Sequence, residues 1–181
     1  GKVMSAAGLC LVRHGAREDY AWKARGENWQ AQSDRPWDTP LTDGGIVQAT
    51  AMGSALRAHC ERLGLAPVSR VISSPLLRCV QTAAAAAMAL GVLQIAIEPE
   101  LAEGMLEDWY RSWAIPGADS TWGGPEHCRI GVRVDPSQLH PAAHKPAHTL
   151  MLDARACEAA LAAHPATCAR LDAAYEPLPQ S

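Results

Sequence analysis

Leu9-Cys10-Leu11-Val12 is a short unbroken apolar run, the pattern of a strand buried on both faces of a parallel sheet. Residues 16–40 lose that pattern. They are polar, carry Trp22, Trp29 and Trp37, and end in Asp38-Thr39-Pro40, which predicts a long loop with room for one helical turn. From Thr42, a fitting N-cap, the apolar or small residues Ile46, Ala49, Gly53, Leu56, Cys60 and Leu63 recur every three to four positions. That spacing predicts a helix with one packed face, and Gly64 is suited to stop it. Arg70-Val71-Ile72-Ser73 reads as a second strand. It runs into Ser74-Pro75, a cap followed by proline at the first helical position, and then a helix through the alanines to about Leu90, with Gly91 past its end. Leu93 to Ile97 reads as a third strand.

After residue 110 the periodicity fades, and Pro116, Gly117, Gly123, Gly124, Pro125, Pro136, Pro141 and Pro146 punctuate the chain. An alanine-rich helix is expected over 153–163, and Pro165 is expected to open a further turn reaching about Ala174. Strands alternating with helices predict an α/β sheet covered by helices. No internal repeat or second core stands out, so residues 1–181 are expected to form a single domain.

Composition narrows the function classes. Hydrophobic residues make up 48% and charged residues 19% of the 181, so a folded core is expected rather than disorder. The net charge of -3 leaves no basic excess for a nucleic-acid or membrane-surface partner. No apolar stretch is long enough for a membrane span, and the N-terminus lacks a charged-then-apolar leader pattern. The six cysteines include no C-x-x-C pair and are expected to be reduced thiols, which places the chain in the cytoplasm.

The candidate chemistry lies at predicted strand ends, where α/β sheets bind ligands. The first strand ends in Arg13-His14-Gly15-Ala16-Arg17. The second leads to Arg78 in the first turn of a helix, and the third ends near Glu98-Pro99-Glu100-Leu101-Ala102-Glu103. Phosphoryl transfer uses such a set. An imidazole nitrogen can attack phosphorus, arginine forks grip the oxygens, and a carboxylic acid can protonate the leaving alkoxide. Taken singly, each residue is an ordinary surface polar group. Cys-x5-Arg and a P-loop are both absent. His140, His144 and His148 are four apart, but Pro141 and Pro146 break the helix that would make them a metal face. The three tryptophans of the long loop are either an apolar wall for a substrate or ordinary loop packing.

The combination resembles a known family. Leu11-Val12-Arg13-His14-Gly15, then Asp38-Thr39-Pro40-Leu41-Thr42 with Gly45 and Gln48-Ala49, then Ser73-Ser74-Pro75-Leu76-Leu77-Arg78, are similar to successive blocks of the histidine phosphatase superfamily. Arg78-Cys79-Val80-Gln81-Thr82 and Glu98-Pro99-x-Leu101-x-Glu103 resemble a narrower branch. That branch holds the phosphatase domains of the suppressors of T-cell-receptor signalling and the ecdysteroid-phosphate phosphatases. The resemblance covers roughly residues 9–110.

It implies a phosphoglycerate mutase-like three-layer sandwich, a mostly parallel sheet flanked by helices. It implies a phosphomonoester hydrolase acting through a phosphohistidine intermediate. In that scheme His14 is the nucleophile, Glu103 the acid, and Arg13, Arg17 and Arg78 hold the phosphoryl oxygens. No metal or organic cofactor is implied. The partner is a phosphomonoester, small molecule or phosphoprotein. The family's second histidine, on a late strand, has no counterpart after an apolar run here, so the sequence reads as C-terminally incomplete. Two alternatives therefore stand beside the hydrolase: a weak or inactive pseudophosphatase that binds phosphate, and a phosphoglycerate mutase-type phosphotransferase.

Overall fold

The structure, a computed structural model, describes residues 8–29, 31–33, 38–101, 158–160, 162 and 170–176. In chain order the elements are α1 (Glu18–Ala24), α2 (Asp43–Arg62), β1 (Val71–Ser73), α3 (Leu77–Leu90), β2 (Gln94–Ile97), a 3-10 turn (Pro99–Leu101) and β3 (Arg170–Leu171). The strands form one parallel sheet in the order β1-β2-β3. Val71 pairs with Ile95, Ser73 with Ile97, and Ile95 in turn with Leu171. β1, α3 and β2 make a βαβ unit, and the chain is of the α/β class expected.

The core is small-residue packing. Val80, Ala83, Ala84, Ala87 and Ile95 form its buried centre, with Val71, Ile97, Ala160 and Leu171 packed around it. The alanines of α3 present so little bulk that α2 lies directly against them. A Cβ added to Gly53 on α2 would sit 2.7 Å from the Ala86 carbonyl oxygen. The helices therefore touch at backbone distance, and that contact brings the start of α2 toward the His14 segment.

α2 follows its sequence pattern closely. Thr42 accepts a hydrogen bond from the Gly45 amide at 2.9 Å and caps the helix, and Gly64, with φ +64, follows its end. Gly91 closes α3 with φ 77.

Four local expectations change. α3 starts at Leu77 rather than at Pro75 and takes its cap from a distant loop: Asp38 Oδ1 accepts the Leu77 amide at 2.7 Å. A seven-residue helix, α1, occupies part of the loop expected over 16–40; Glu18 and Asp19 in its first turn and Lys23 in its last suit the helix dipole. Leu9–Val12 is not a strand. A strand needs a ladder partner, and among the described residues β1 pairs only with β2, so Leu9 and Leu11 are exposed. Arg170–Leu171 is a strand where a helical turn was expected, because the open edge of β2 offers it hydrogen bonds from Arg170 to Leu93 and from Asp172 to Ile95, each 2.9 Å.

Candidate active site

Three segments are tied together to make the site. The first is Gly15–Glu18, the second Asp38–Thr42, and the third the opening turns of α3. The Glu18 amide donates to the Pro40 carbonyl at 3.0 Å and the Thr42 amide to the Ala16 carbonyl at 2.9 Å. Arg17 and Leu41 form an antiparallel bridge. The Leu41 amide donates to Gln81 Oε1 on α3 at 2.8 Å, and Asp38 caps the same helix. Thr82 closes the circuit: its hydroxyl accepts from the Gly15 amide at 3.1 Å and donates to the Arg78 carbonyl at 2.7 Å. One hydroxyl thus fixes the segment bearing His14 relative to the residue bearing the Arg78 guanidinium.

Two glycines allow this closeness. A Cβ on Gly15 would lie 2.5 Å from the Gly45 carbonyl oxygen, and a Cβ on Gly45 would lie 2.3 Å from the Ala16 carbonyl oxygen. Both positions are closed to side chains by backbone, which cannot move aside as a flexible side chain can. Gly15 therefore has a packing reason of its own in the Arg13-His14-Gly15 segment.

His14 is half-buried. Its Nδ1 lies 2.8 Å from the Gly15 carbonyl oxygen. A carbonyl only accepts, so Nδ1 carries the proton in this bond and the neutral ring keeps its lone pair on Nε2. Burial lowers the His14 pKa below the ordinary 6.5; the bond to Gly15 raises it, and the positive fields of Arg78, Arg17 and Arg13 lower it further. The net effect holds the imidazole neutral, the form a nucleophile requires.

His14 lines an open cleft of about 490 Å3 together with Arg13, Arg17 and Thr82 on the polar side and Tyr20 and Met52 among its apolar residues. Arg13 is exposed, whereas Arg17 is only 2% exposed. The Arg17 Nε donates to Asp19 Oδ1 at 3.0 Å, and its Nη2 pairs with Asp19 Oδ2. Arg78 is equally buried and does not reach the cleft surface, although its charge acts on His14 more strongly than that of either other arginine. The amide of Leu77 that opens α3 is bonded to Asp38, so this helix-terminal donor already faces a carboxylate.

The sequence-derived set is thus partly gathered: His14, Arg13 and Arg17 share the cleft, and Arg78 lies beneath it. Glu103, Trp37, His140, His144 and His148 lie outside the described residues. Trp22, on α1, and Trp29 pack edge to face with ring centres 5.4 Å apart and do not line the cleft. Asp19, Tyr20, Met52 and Thr82 were not singled out from the sequence. Thr82 alone left a signal there, four residues beyond Arg78 on one helix face. Among the described residues no group of three or more His, Cys, Asp and Glu side chains is placed to hold a metal ion, and no helix is long and apolar enough to cross a membrane.

The family model of the histidine phosphatase superfamily (branch 1) matches residues 9–119. The chain belongs to that superfamily. Among solved structures it is similar to the ecdysone phosphate phosphatase from Bombix mori in complex with tungstate, at 27% identity and a TM-score of 0.40, over 54% of this chain and 44% of that one. The chain therefore spans less than half the length of that protein. No curated protein matches it.

Proposed function

We propose that this chain, read as one domain over residues 1–181, is a phosphomonoester hydrolase acting through phosphohistidine at His14. The observation that carries the reading is the His14 Nδ1 bond to the Gly15 carbonyl, which leaves the lone pair on Nε2 in a ring that lines an arginine-bearing cleft. Attack of that nitrogen on phosphorus forms the P–N bond and breaks the ester P–O bond. The positive charge arriving on the ring is delocalised onto Nδ1, where the Gly15 carbonyl accepts its proton's hydrogen bond. Arg13 and Arg17 offer paired donors to the phosphoryl oxygens, and the buried Arg78 adds positive potential from below. Glu103 is assigned as the acid on its sequence motif, Glu98-Pro99-x-Leu101-x-Glu103. Water then hydrolyses the phosphoimidazole, with phosphate leaving and the ring neutral again.

The wording of residues 78–82 and 98–103 favours a phosphatase over a mutase-type phosphotransferase. The test compares release of phosphate from an aryl phosphate by the chain, by His14→Ala and by Arg17→Met. Turnover abolished by the first change and strongly reduced by the second supports the reading. Turnover that survives His14→Ala overturns it. Saturable phosphate binding without turnover replaces it with the pseudophosphatase.

A further inference from the structure

The two backbone amides that follow His14 are both taken by side chains. The Gly15 amide donates to Thr82 Oγ1 and the Ala16 amide to Gln48 Oε1, each at 3.1 Å. A phosphoryl group at His14 therefore finds no free backbone donor in Gly15 or Ala16. Gln48 offers one in their place. A backbone N–H can only donate, so the Gln48 atom facing Ala16 is the oxygen, and the two N–H donors of Nε2 are left outside that bond. Nε2 has no acceptor among the described residues, and Gln48 lines the cleft with Arg13, His14 and Arg17. The helix places it there. Gly45, Gln48, Ala49 and Met52 share one face of α2, three and four residues apart. A Cβ on Gly45 would lie 2.3 Å from the Ala16 carbonyl oxygen, and that oxygen accepts from the Thr42 amide at 2.9 Å. The start of α2 thus grips Ala16 by both its carbonyl and its amide, and the Gln48 head is held at the cleft by its own bond.

A neutral donor suits this position. Attack by His14 brings positive charge onto the ring, and the fields of Arg78, Arg17 and Arg13 already oppose it. An amide can hold a phosphoryl oxygen without adding to that field. Its hydrogen bond to a charged oxygen is also stronger than one between neutral groups. We propose that Gln48 is a substrate-binding residue whose Nε2 donates to a non-bridging oxygen of the phosphoryl group at His14. The same side chain has two tasks: Oε1 takes the Ala16 amide, and Nε2 returns donors to the cleft. The inference rests on the phosphomonoester reading above and adds a binding group to that site.

The experiment separates the donor from the clamp on Ala16. Inorganic phosphate is titrated by calorimetry into the wild-type chain, Gln48→Met and Gln48→Glu, and the His14 ring of the wild type and Gln48→Met is titrated by NMR. Methionine keeps the length of glutamine and removes both donor and acceptor. Ala16 is exposed, so its amide takes water in that variant. Glutamate keeps the acceptor for Ala16 and removes the donors. Gln48→Met should bind phosphate about tenfold more weakly, the scale of one hydrogen bond to a charged group, with His14 titrating as in the wild type. Gln48→Glu should bind at least as weakly, although its bond to Ala16 survives. Phosphate affinity of Gln48→Met equal to that of the wild type overturns the donor. Wild-type affinity in Gln48→Glu does so too, because the bond to Ala16 is then the whole role of the side chain. A shifted His14 titration in Gln48→Met also overturns it, tracing the loss to a displaced ring. All three results leave the hydrolase standing. A wild-type chain that neither binds phosphate nor releases it from an aryl phosphate overturns both readings.

Discussion

Replacing Asp19 by alanine tests how the site holds its arginine. Arg17 and Asp19 are 2% and 6% exposed and meet at two points, Nε to Oδ1 at 3.0 Å and Nη2 to Oδ2. Removing one member of a buried pair leaves a desolvated charge behind and costs about 3–5 kcal/mol, whereas an exposed pair contributes about 0–1 kcal/mol. With a melting shift of roughly 2–4 °C per kcal/mol for a chain of this size, Asp19→Ala should melt about 6–20 °C lower by circular dichroism. The double change Arg17→Met with Asp19→Leu removes both charges and keeps the volume. It should recover most of the stability while its turnover stays as strongly reduced as that of Arg17→Met, because the Arg17 fork is gone. Saturating phosphate should raise the melting temperature of Asp19→Ala more than that of the double variant, since only the former keeps the Arg17 guanidinium for the anion. A loss for Asp19→Ala within the exposed-pair range, or a double variant no more stable than the single one, would refute the reasoning that Asp19 holds a buried guanidinium in place.

Three further outcomes follow from the same geometry. Gly45→Ala drives a methyl into the Ala16 carbonyl at 2.3 Å, so urea unfolding should show a loss of about 1–3 kcal/mol, and aryl phosphatase activity should fall with the displaced His14 segment. Asp38→Ala removes the acceptor of the Leu77 amide at the start of α3 and should cost about 0.5–2 kcal/mol in the same measurement, with Asp38→Asn recovering part of it. The His14 ring should titrate below 6.5 by NMR. Its folded pKa is lowered by burial against an opposing Gly15 bond, so the unfolded chain binds the proton more readily. This group therefore makes no charge-linked demand on stability above 6.5 and destabilises the fold as pH falls from 6.5 through the lowered value. A ring that titrates at or above 6.5 contradicts the burial and arginine fields assigned to it.

Where the sequence was legible, local chemistry decided the structure. α2 could be bounded to within a residue because Thr42 caps it and a small-residue face recurs through Cys60. The Gly64 and Gly91 stops needed only their own backbone freedom. Where it was not legible, a distant partner decided. Nothing near Leu77 reveals that its cap is Asp38, thirty-nine residues earlier. The run Leu9–Val12 has the composition of a buried strand, but composition cannot supply a ladder partner. β3 is two residues long and too short to show a period. The site divides the same way. His14 with its neighbouring arginines was visible as a motif. Asp19, which orders Arg17, and Thr82, which joins the two halves of the site, act through contacts that spacing only hints at.

The central claim is that His14 Nε2 is the atom that takes up phosphate. The direct measurement is to mix the chain with an aryl phosphate, quench in alkali within the first turnovers, and map phosphorylation by mass spectrometry. The account predicts an acid-labile, alkali-stable phosphoryl group on the peptide containing His14, bonded to Nε2 and absent from His14→Ala. Turnover with no phosphorylated His14 at any quench time, or with the group on another residue, contradicts it.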